Sequence, residues 1–169
     1  GGMGNDALSG DQGNDKISAG EGNDMLLGGS GNDSLRGEAG DDTLNGDEGD
    51  DYLSGGTGDD VISGGEGTDK IVGGTGSDII QGGAGNDQLW GGNWSADGAE
   101  DTFVFEQGTG RDFVHDFEAQ NDAIDLSAFG TDMTEVLGLS QDQGWATLID
   151  LSGFEAAGSN DQIVLLSVG

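Results

Sequence analysis

A chain of 169 residues with 34 acidic side chains against 4 basic ones carries a formal charge of −30, and it holds 37 glycines, no proline, no cysteine and one histidine. That balance excludes nucleic acid as a direct partner, since phosphate contacts need lysine and arginine, and the missing cysteine excludes disulfides and thiolate metal sites. No apolar run reaches the roughly 18 residues that span a bilayer and no basic-then-apolar segment opens the chain, so composition leaves either a disordered tail or a chain ordered by cations.

A period of nine decides between them. Residues 1–90 divide into ten consecutive nonapeptides without insertion or deletion. Place four is always glycine: Gly4, Gly13, Gly22, Gly31, Gly40, Gly49, Gly58, Gly67, Gly76 and Gly85. Place six is always aspartate: Asp6, Asp15, Asp24, Asp33, Asp42, Asp51, Asp60, Asp69, Asp78 and Asp87. Place eight is Leu or Ile from Leu8 and Ile17 through Ile80 and Leu89, and place five is Asn, Asp, Ser or Thr. A stretch such as Gly28 to Asp33 is turn chemistry, because glycine and asparagine tolerate positive φ. The three residues that remain, such as Ser34-Leu35-Arg36, suit a very short strand whose middle side chain faces one way and its neighbours the other. The aliphatic eighth place therefore looks inward, while Lys16, Arg36, Thr43, Ser54 and Gln81 at places seven and nine look outward. Two nonapeptides make one coil, and the ten predict about five coils stacked over roughly 24 Å. The expected fold is all-β: a right-handed parallel β-roll with a single-file aliphatic interior.

Such an interior is too thin to order ninety glycine-rich residues by itself. The repeats also carry 19 acidic residues against 3 basic ones and repel themselves. In a coil of two nonapeptides the place-six aspartates stack, Asp6 over Asp24, Asp15 over Asp33, and onward to Asp69 over Asp87. Carboxylates one strand spacing apart are unfavourable alone, but with a hard cation between them and turn carbonyls around it they form an all-oxygen site. Oxygen donors on a flexible cage favour Ca²⁺ over Zn²⁺ or Mg²⁺. About eight ions are expected, one per stacked pair, enough to cancel the net charge of the block.

The pattern Gly-Gly-x-Gly-x-Asp-x-(Leu/Ile)-x over residues 1–90 resembles the calcium-binding repeat-in-toxin (RTX, haemolysin-type) motif. The resemblance implies that calcium is held by the place-six carboxylates together with backbone carbonyls. These come from places two and four of one repeat and places one and three of the repeat two along. Carried onto this sequence, the carbonyls belong to Gly4, Gly13, Gly22, Gly31, Gly40, Gly49, Gly58 and Gly67 at place four, and to Gly29, Gly56 and Gly65 at place two. Those at place one are Gly28, Gly46, Gly55, Gly64, Gly73 and Gly82. By this rule Gly29, Gly31 and Asp33 share an ion with Gly46, Glu48 and Asp51. Departures at place two (Asp11, Glu38, Asp47) and place one (Ala19) act through carbonyls, so their sites are expected to survive.

Residues 91–169 read as an interrupted last repeat followed by a β-rich cap. An eleventh repeat begins at Gly91-Gly92-Asn93, is interrupted, and resumes at Asp101-Thr102-Phe103-Val104-Phe105. Trp94, Phe103, Phe105, Phe113, Phe117, Phe129, Trp145 and Phe154 lie here and can close the open end of the roll, as repeat arrays require. Asp112–Phe117, Asp122–Phe129, Thr147–Leu151 and Gln162–Val168 are strand candidates, and Thr131–Leu137 a short helix. Asp101–Phe105, Asp112-x-Val114-x-Asp116-Phe117, Asp122-x-Ile124-Asp125-Leu126-Ser127-x-Phe129 and the ending Asp161–Val168 resemble the C-terminal region of serralysin-type secreted proteins. That resemblance implies a bacterial, extracellular protein exported through a type I secretion apparatus.

Outside the repeats each candidate has a plainer reading. Among Asp97, Asp101, Asp112, Asp116, Asp122 and Asp125, turn capping outweighs calcium except at Asp101, which occupies place six. His115 reads as a packed or surface strand residue, and the His-Glu-x-x-His motif of zinc proteases is missing. Stacked carboxylates could mimic a glycosidase pair, but identical repeated pairs argue for structure. Trp90, Trp94 and Trp145 read as packing rather than a sugar platform. The expected function is a non-catalytic calcium-binding module that folds outside the cell and supports export of a larger protein. The alternative is a carbohydrate-binding or adhesin-type module, as in mannuronan epimerase repeat modules; Lys16, Arg36 and Lys70 make little of the basic track a polyanionic polysaccharide would want. Place three is too irregular for an ice-binding lattice.

Overall fold

The computed structural model describes residues 1–93, 98–118, 120–129, 141–142, 146–150 and 161–166. Within it each regular nonapeptide contributes one turn and one strand. The strands are β1 (Gly2–Met3), β2 (Ala7–Gln12), β3 (Lys16–Glu21), β4 (Met25–Ser30), β5 (Ser34–Ala39), β6 (Thr43–Glu48), β7 (Tyr52–Thr57), β8 (Val61–Glu66), β9 (Lys70–Thr75), β10 (Ile79–Ala84) and β11 (Gln88–Gly92). β2 to β10 are six residues long, not the three expected. The extra half is places one to three, which glycine content assigned to the turn. In β4 against β6, Leu26 faces Leu44, Gly29 faces Asp47 and Ser30 faces Glu48. An identical backbone in the next coil supplies ladder hydrogen bonds, and these override the poor strand propensity of glycine.

Alternate strands form two parallel sheets facing each other. One runs β1-β3-β5-β7-β9-β11 and the other β2-β4-β6-β8-β10. Both continue past the regular repeats. β12 (Thr102–Val104) and β14 (Ala123–Asp125) extend the second sheet, while β13 (Arg111–Val114) and β17 (Gln162–Leu166) extend the first. β16 (Ala146–Asp150) then pairs antiparallel with β17, and β15 (Gln141–Asp142) antiparallel with β16. The chain is thus an all-β parallel β-roll of about seven turns. Among the described residues the only helical element is a 3₁₀ turn at Ser127–Phe129. Thr131–Leu137 and Phe154 lie outside the described residues.

Place eight lines the interior as its alternation requires. Leu26, Leu35, Leu44, Leu53, Ile62, Ile71, Ile80 and Leu89 are buried, whereas Leu8 and Ile17 in the first coil are only partly so. The file continues through Phe103, Val114 and Ile124, which sit in register over Ile80, Leu89 and Phe103. Phe105, Leu126, Phe129, Ile163 and Leu165 join the same apolar cluster, so roll and cap share one continuous core.

Candidate metal centre

Each turn presents its place-six aspartate to the coil before it. Asp24 Oδ1 accepts the Asp6 N–H at 2.7 Å, Asp33 Oδ1 that of Asp15 at 2.7 Å, and Asp51 Oδ1 that of Asp33 at 2.7 Å. The ladder passes through Asp42, Asp60, Asp69, Asp78 and Asp87 in the same way. It then reaches Asp101, whose Oδ1 takes the Asp78 N–H at 2.9 Å, and Asp112, whose Oδ1 takes the Asp87 N–H at 3.0 Å. From Asp24 onward one oxygen of each carboxylate is thereby used. The other, Oδ2, is buried with no hydrogen-bond partner in Asp6, Asp15, Asp24, Asp33, Asp42, Asp51, Asp60, Asp69, Asp78, Asp87 and Asp112. A buried carboxylate oxygen without a donor costs free energy, and a row of them repeats the cost in every coil.

Place one shows what these oxygens face. A Cβ built on Gly28 would lie 2.5 Å from Asp33 Oδ2 and 2.6 Å from the carbonyl oxygen of Gly46 in the next coil. On Gly10 it would lie 2.7 Å from Asp15 Oδ2 and 2.7 Å from the Gly28 carbonyl. The corresponding carboxylate and carbonyl oxygens border the same point at Gly37, Gly46, Gly55, Gly64 and Gly73. Oxygens from two successive coils thus crowd around each of these place-one glycines, an approach that a side chain there would block. The donors are all hard oxygens, which suits calcium. Among the described residues no three acidic, histidine or cysteine side chains gather around a point. Only two stacked carboxylates are available per turn, so main-chain carbonyls must supply the rest of any shell.

Desolvation favours the protonated form of six of these acids when no cation is present. Burial pushes Asp60 and Asp69 up to about 7, Asp87 to about 6 and Asp112 to about 8, partly offset by the N–H each accepts. Asp42 and Asp51 are raised for the same reason, with their stacked partners Asp24 and Asp33 adding repulsion. The metal-free folded state therefore holds protons that the unfolded chain, with carboxylates near 3.8, has already released. This contribution to stability is fully present below about pH 4 and is lost as pH rises through about 6 to 8. In chelator, circular dichroism is expected to show more strand at pH 4 than at pH 7.5. A response that is flat or opposite would contradict it.

A second ladder runs beside the first and was not foreseen as one. Asn5, Asn14, Asn23, Asn32, Asp41, Asp50, Asp59 and Asn86 at place five use Oδ1 to accept the N–H of the residue stacked on them. At each of these side chains Oδ1 is thus taken by a backbone donor. The tail acids divide in the same way. Asp116 accepts the Gly91 and Gly92 N–H groups at 2.9 and 3.0 Å, and Asp122 those of Asp101 and Glu118 at 3.2 and 2.7 Å. Asp125 caps Ser127, whose N–H holds its carboxyl below the usual range. Asp112 departs from its expected role as a turn cap, because it continues the place-six ladder. Asp97, Trp94 and Trp145 lie outside the described residues.

His115 stacks on Trp90 with centroids 4.0 Å apart and places Nε2 at 2.9 Å from Gln88 Oε1, the environment of a packed strand residue. The four basic residues all fall on strands of one sheet. Arg36 lies over Tyr52 at 6.0 Å, Lys70 over Trp90 at 5.3 Å and Arg111 over Phe113 at 5.1 Å.

Comparison with known proteins follows from this geometry. The family described as RTX calcium-binding nonapeptide repeat (4 copies) matches residues 1–35, 27–62 and 63–93. Among solved structures, the extracellular lipase LipA from Serratia marcescens is similar at 18% identity and a TM-score of 0.37, covering 88% of this chain and 38% of the lipase. A repeat subunit of the Azotobacter vinelandii mannuronan C5-epimerase is similar at 24% identity and a TM-score of 0.27, covering 90% of this chain and 71% of that one. The chain thus spans well under half the length of the lipase. No curated protein matches it.

Proposed function

The chain belongs to the RTX calcium-binding nonapeptide repeat family, and from that premise we propose that it is a calcium-dependent folding module, non-catalytic in itself, that serves the export and stability of a larger secreted protein. Residues 1–90 are the ion-binding roll; residues 91–169 are its cap and carry the type I secretion signal. Each ion is held between successive coils by two stacked place-six carboxylates and by backbone carbonyls. Gly29, Gly31 and Asp33 form one half of such a shell, with Gly46, Glu48 and Asp51 forming the other. About eight ions fill the regular array, one for each stacked pair.

The single observation that carries this reading is the row of buried Oδ2 atoms without a hydrogen-bond donor, most of them packed against a place-one glycine, with Ala19 and Gln107 holding that place in the repeats of Asp24 and Asp112. A bound cation supplies the positive charge that four basic residues cannot. Within a calcium-poor cytosol the polyanionic chain stays unfolded and can thread an export channel. Outside, sites of about 10⁻⁴–10⁻³ M dissociation constant fill, as in other extracellular modules. The roll then closes on its cap coil by coil.

A calcium titration of the whole chain tests this, read by circular dichroism and by calorimetry. The expected result is a steep, cooperative gain of strand signal with roughly eight ions taken up. Full strand content in metal-stripped neutral buffer would overturn it.

A further inference from the structure

Residues 107–115, Gln-Gly-Thr-Gly-Arg-Asp-Phe-Val-His, lie beyond the ten regular repeats and beyond the last family match, which ends at residue 93. Set against the nonapeptide, they carry glycine at places two and four (Gly108, Gly110), aspartate at six (Asp112) and an aliphatic at eight (Val114). Only the opening glycine is replaced, by Gln107. The backbone repeats several contacts of an ordinary repeat, although Gln107 and Gly108 form a turn where an ordinary repeat has strand, and a Cβ on Gly108 would meet nothing of the coil before it. Gly108 and Gly110 have φ of 86° and 91°. The Gly85 N–H donates to the Thr109 carbonyl at 2.8 Å, as that of Gly67 does to Ala84 at 2.8 Å. The Phe113 N–H donates to the Asp87 carbonyl at 2.9 Å, as that of Gln88 does to Asp69 at 2.9 Å. The Arg111 N–H reaches Asn86 Oδ1 at 3.0 Å, and Val114 is buried in register with Leu89.

The two stacked acids are 25 residues apart instead of 18, which hides the repeat from any fixed-period reading. Yet both Asp87 and Asp112 are completely buried, and each keeps an Oδ2 with no hydrogen-bond partner. The Thr109 side chain hydrogen-bonds the Asp112 carboxyl, but the protein offers no donor to either Oδ2. One coil further along it does, because Asp122 Oδ2 takes the Glu118 N–H at 2.7 Å. Beyond Asp112, Asp161 takes the Gly108 and Gly110 N–H groups at 2.8 and 3.1 Å. Backbone donors therefore replace the cation beyond this point and end the ladder.

We propose that Asp87 and Asp112 together hold a further calcium ion, with carbonyls of the Gly82–Gly85 and Gln107–Gly110 turns, and that this ion fastens the cap to the roll. The inference rests on the calcium reading above and adds a site outside the regular array. It makes Gln107–His115 a disguised twelfth repeat.

The test counts ions on the full chain. Asp112→Asn removes the charge while keeping an Oδ1 that can accept the Asp87 N–H. Calorimetry in saturating calcium is expected to give one ion fewer than wild type. Asp116→Asn, a buried acid already satisfied by Gly91 and Gly92, is expected to leave the count unchanged. Anomalous scattering from calcium-loaded wild-type crystals decides the matter even where the variant fails to fold, through a peak between Asp87 and Asp112. An unchanged count in folded Asp112→Asn, or loaded crystals empty at this pair alone, overturns this inference only. A wild-type chain that takes up no calcium anywhere overturns the underlying reading with it.

Discussion

Asp51→Ala is expected to remove two calcium ions, whereas Asp50→Ala, one residue away and identical in charge change, is expected to remove none. Asp51 is buried and stands in two successive pairs: its Oδ1 accepts the Asp33 N–H at 2.7 Å, and its own N–H donates to Asp69 Oδ1 at 2.8 Å. Its Oδ2 has no partner in the protein. Asp50 is exposed, and its Oδ1 is already occupied by the Thr68 N–H at 2.9 Å. At ten times the dissociation constant one bound ion contributes about 1.4 kcal/mol, so losing two costs about 3 kcal/mol at that concentration. The gap also falls mid-array, where each coil is stabilised only through its neighbours. Calorimetric ion counts and the calcium midpoint of folding measure both variants. Equal behaviour of the two would mean that only net charge matters, and that place six has no special role.

That contrast was legible in the sequence, because Asp51 and its equivalents fill their column without exception while place five varies among four residue types. The inward eighth place was equally legible, since one aliphatic side chain between two variable neighbours fixes which face of a strand is buried. Two features were hidden, for different reasons. Places one to three look like turn when Gly28-Gly29-Ser30 is read alone; they become strand because the coil beyond repeats the same backbone and pairs with it. Such a tertiary effect has no local signature. Asp112 was obscured by irregular spacing, although a signal existed. Gly108-Thr109-Gly110-Arg111-Asp112-Phe113-Val114 matches Gly74-Thr75-Gly76-Ser77-Asp78-Ile79-Ile80 column for column once the period is allowed to slip. The place-five ladder was half visible. Asn and Asp were recognised there as turn formers, but their Oδ1 bonds run to the next coil, which sequence spacing alone does not disclose.

Gly49→Ala is expected to destabilise the calcium-loaded chain far more than Gly13→Ala, although both change place four in the same way. Place four is never anything but glycine, whereas place two accepts Asp11, Glu38 and Asp47 at φ of 69°, 81° and 72°. Those angles lie in or near the small left-handed region that L-residues can enter. Gly49 at 133° and Gly13 at 112° lie outside it, so any side chain is strained at either position. The two sites differ in what lies against them. A Cβ on Gly49 would run into the main chain of Gly31, with its carbonyl carbon only 2.6 Å away, whereas a Cβ on Gly13 meets nothing within 4 Å. Backbone cannot swing aside as a side-chain tip can. Gly13→Ala therefore costs conformational strain of about 1–3 kcal/mol. Gly49→Ala adds overpacking of about another 1–3 kcal/mol and forces the coils apart where the Asp33 and Asp51 oxygens must approach. Denaturant unfolding in saturating calcium measures the difference. Equal losses would show that place four is conserved along the chain for its turn angle alone, and that close stacking of successive coils contributes nothing to holding the ions.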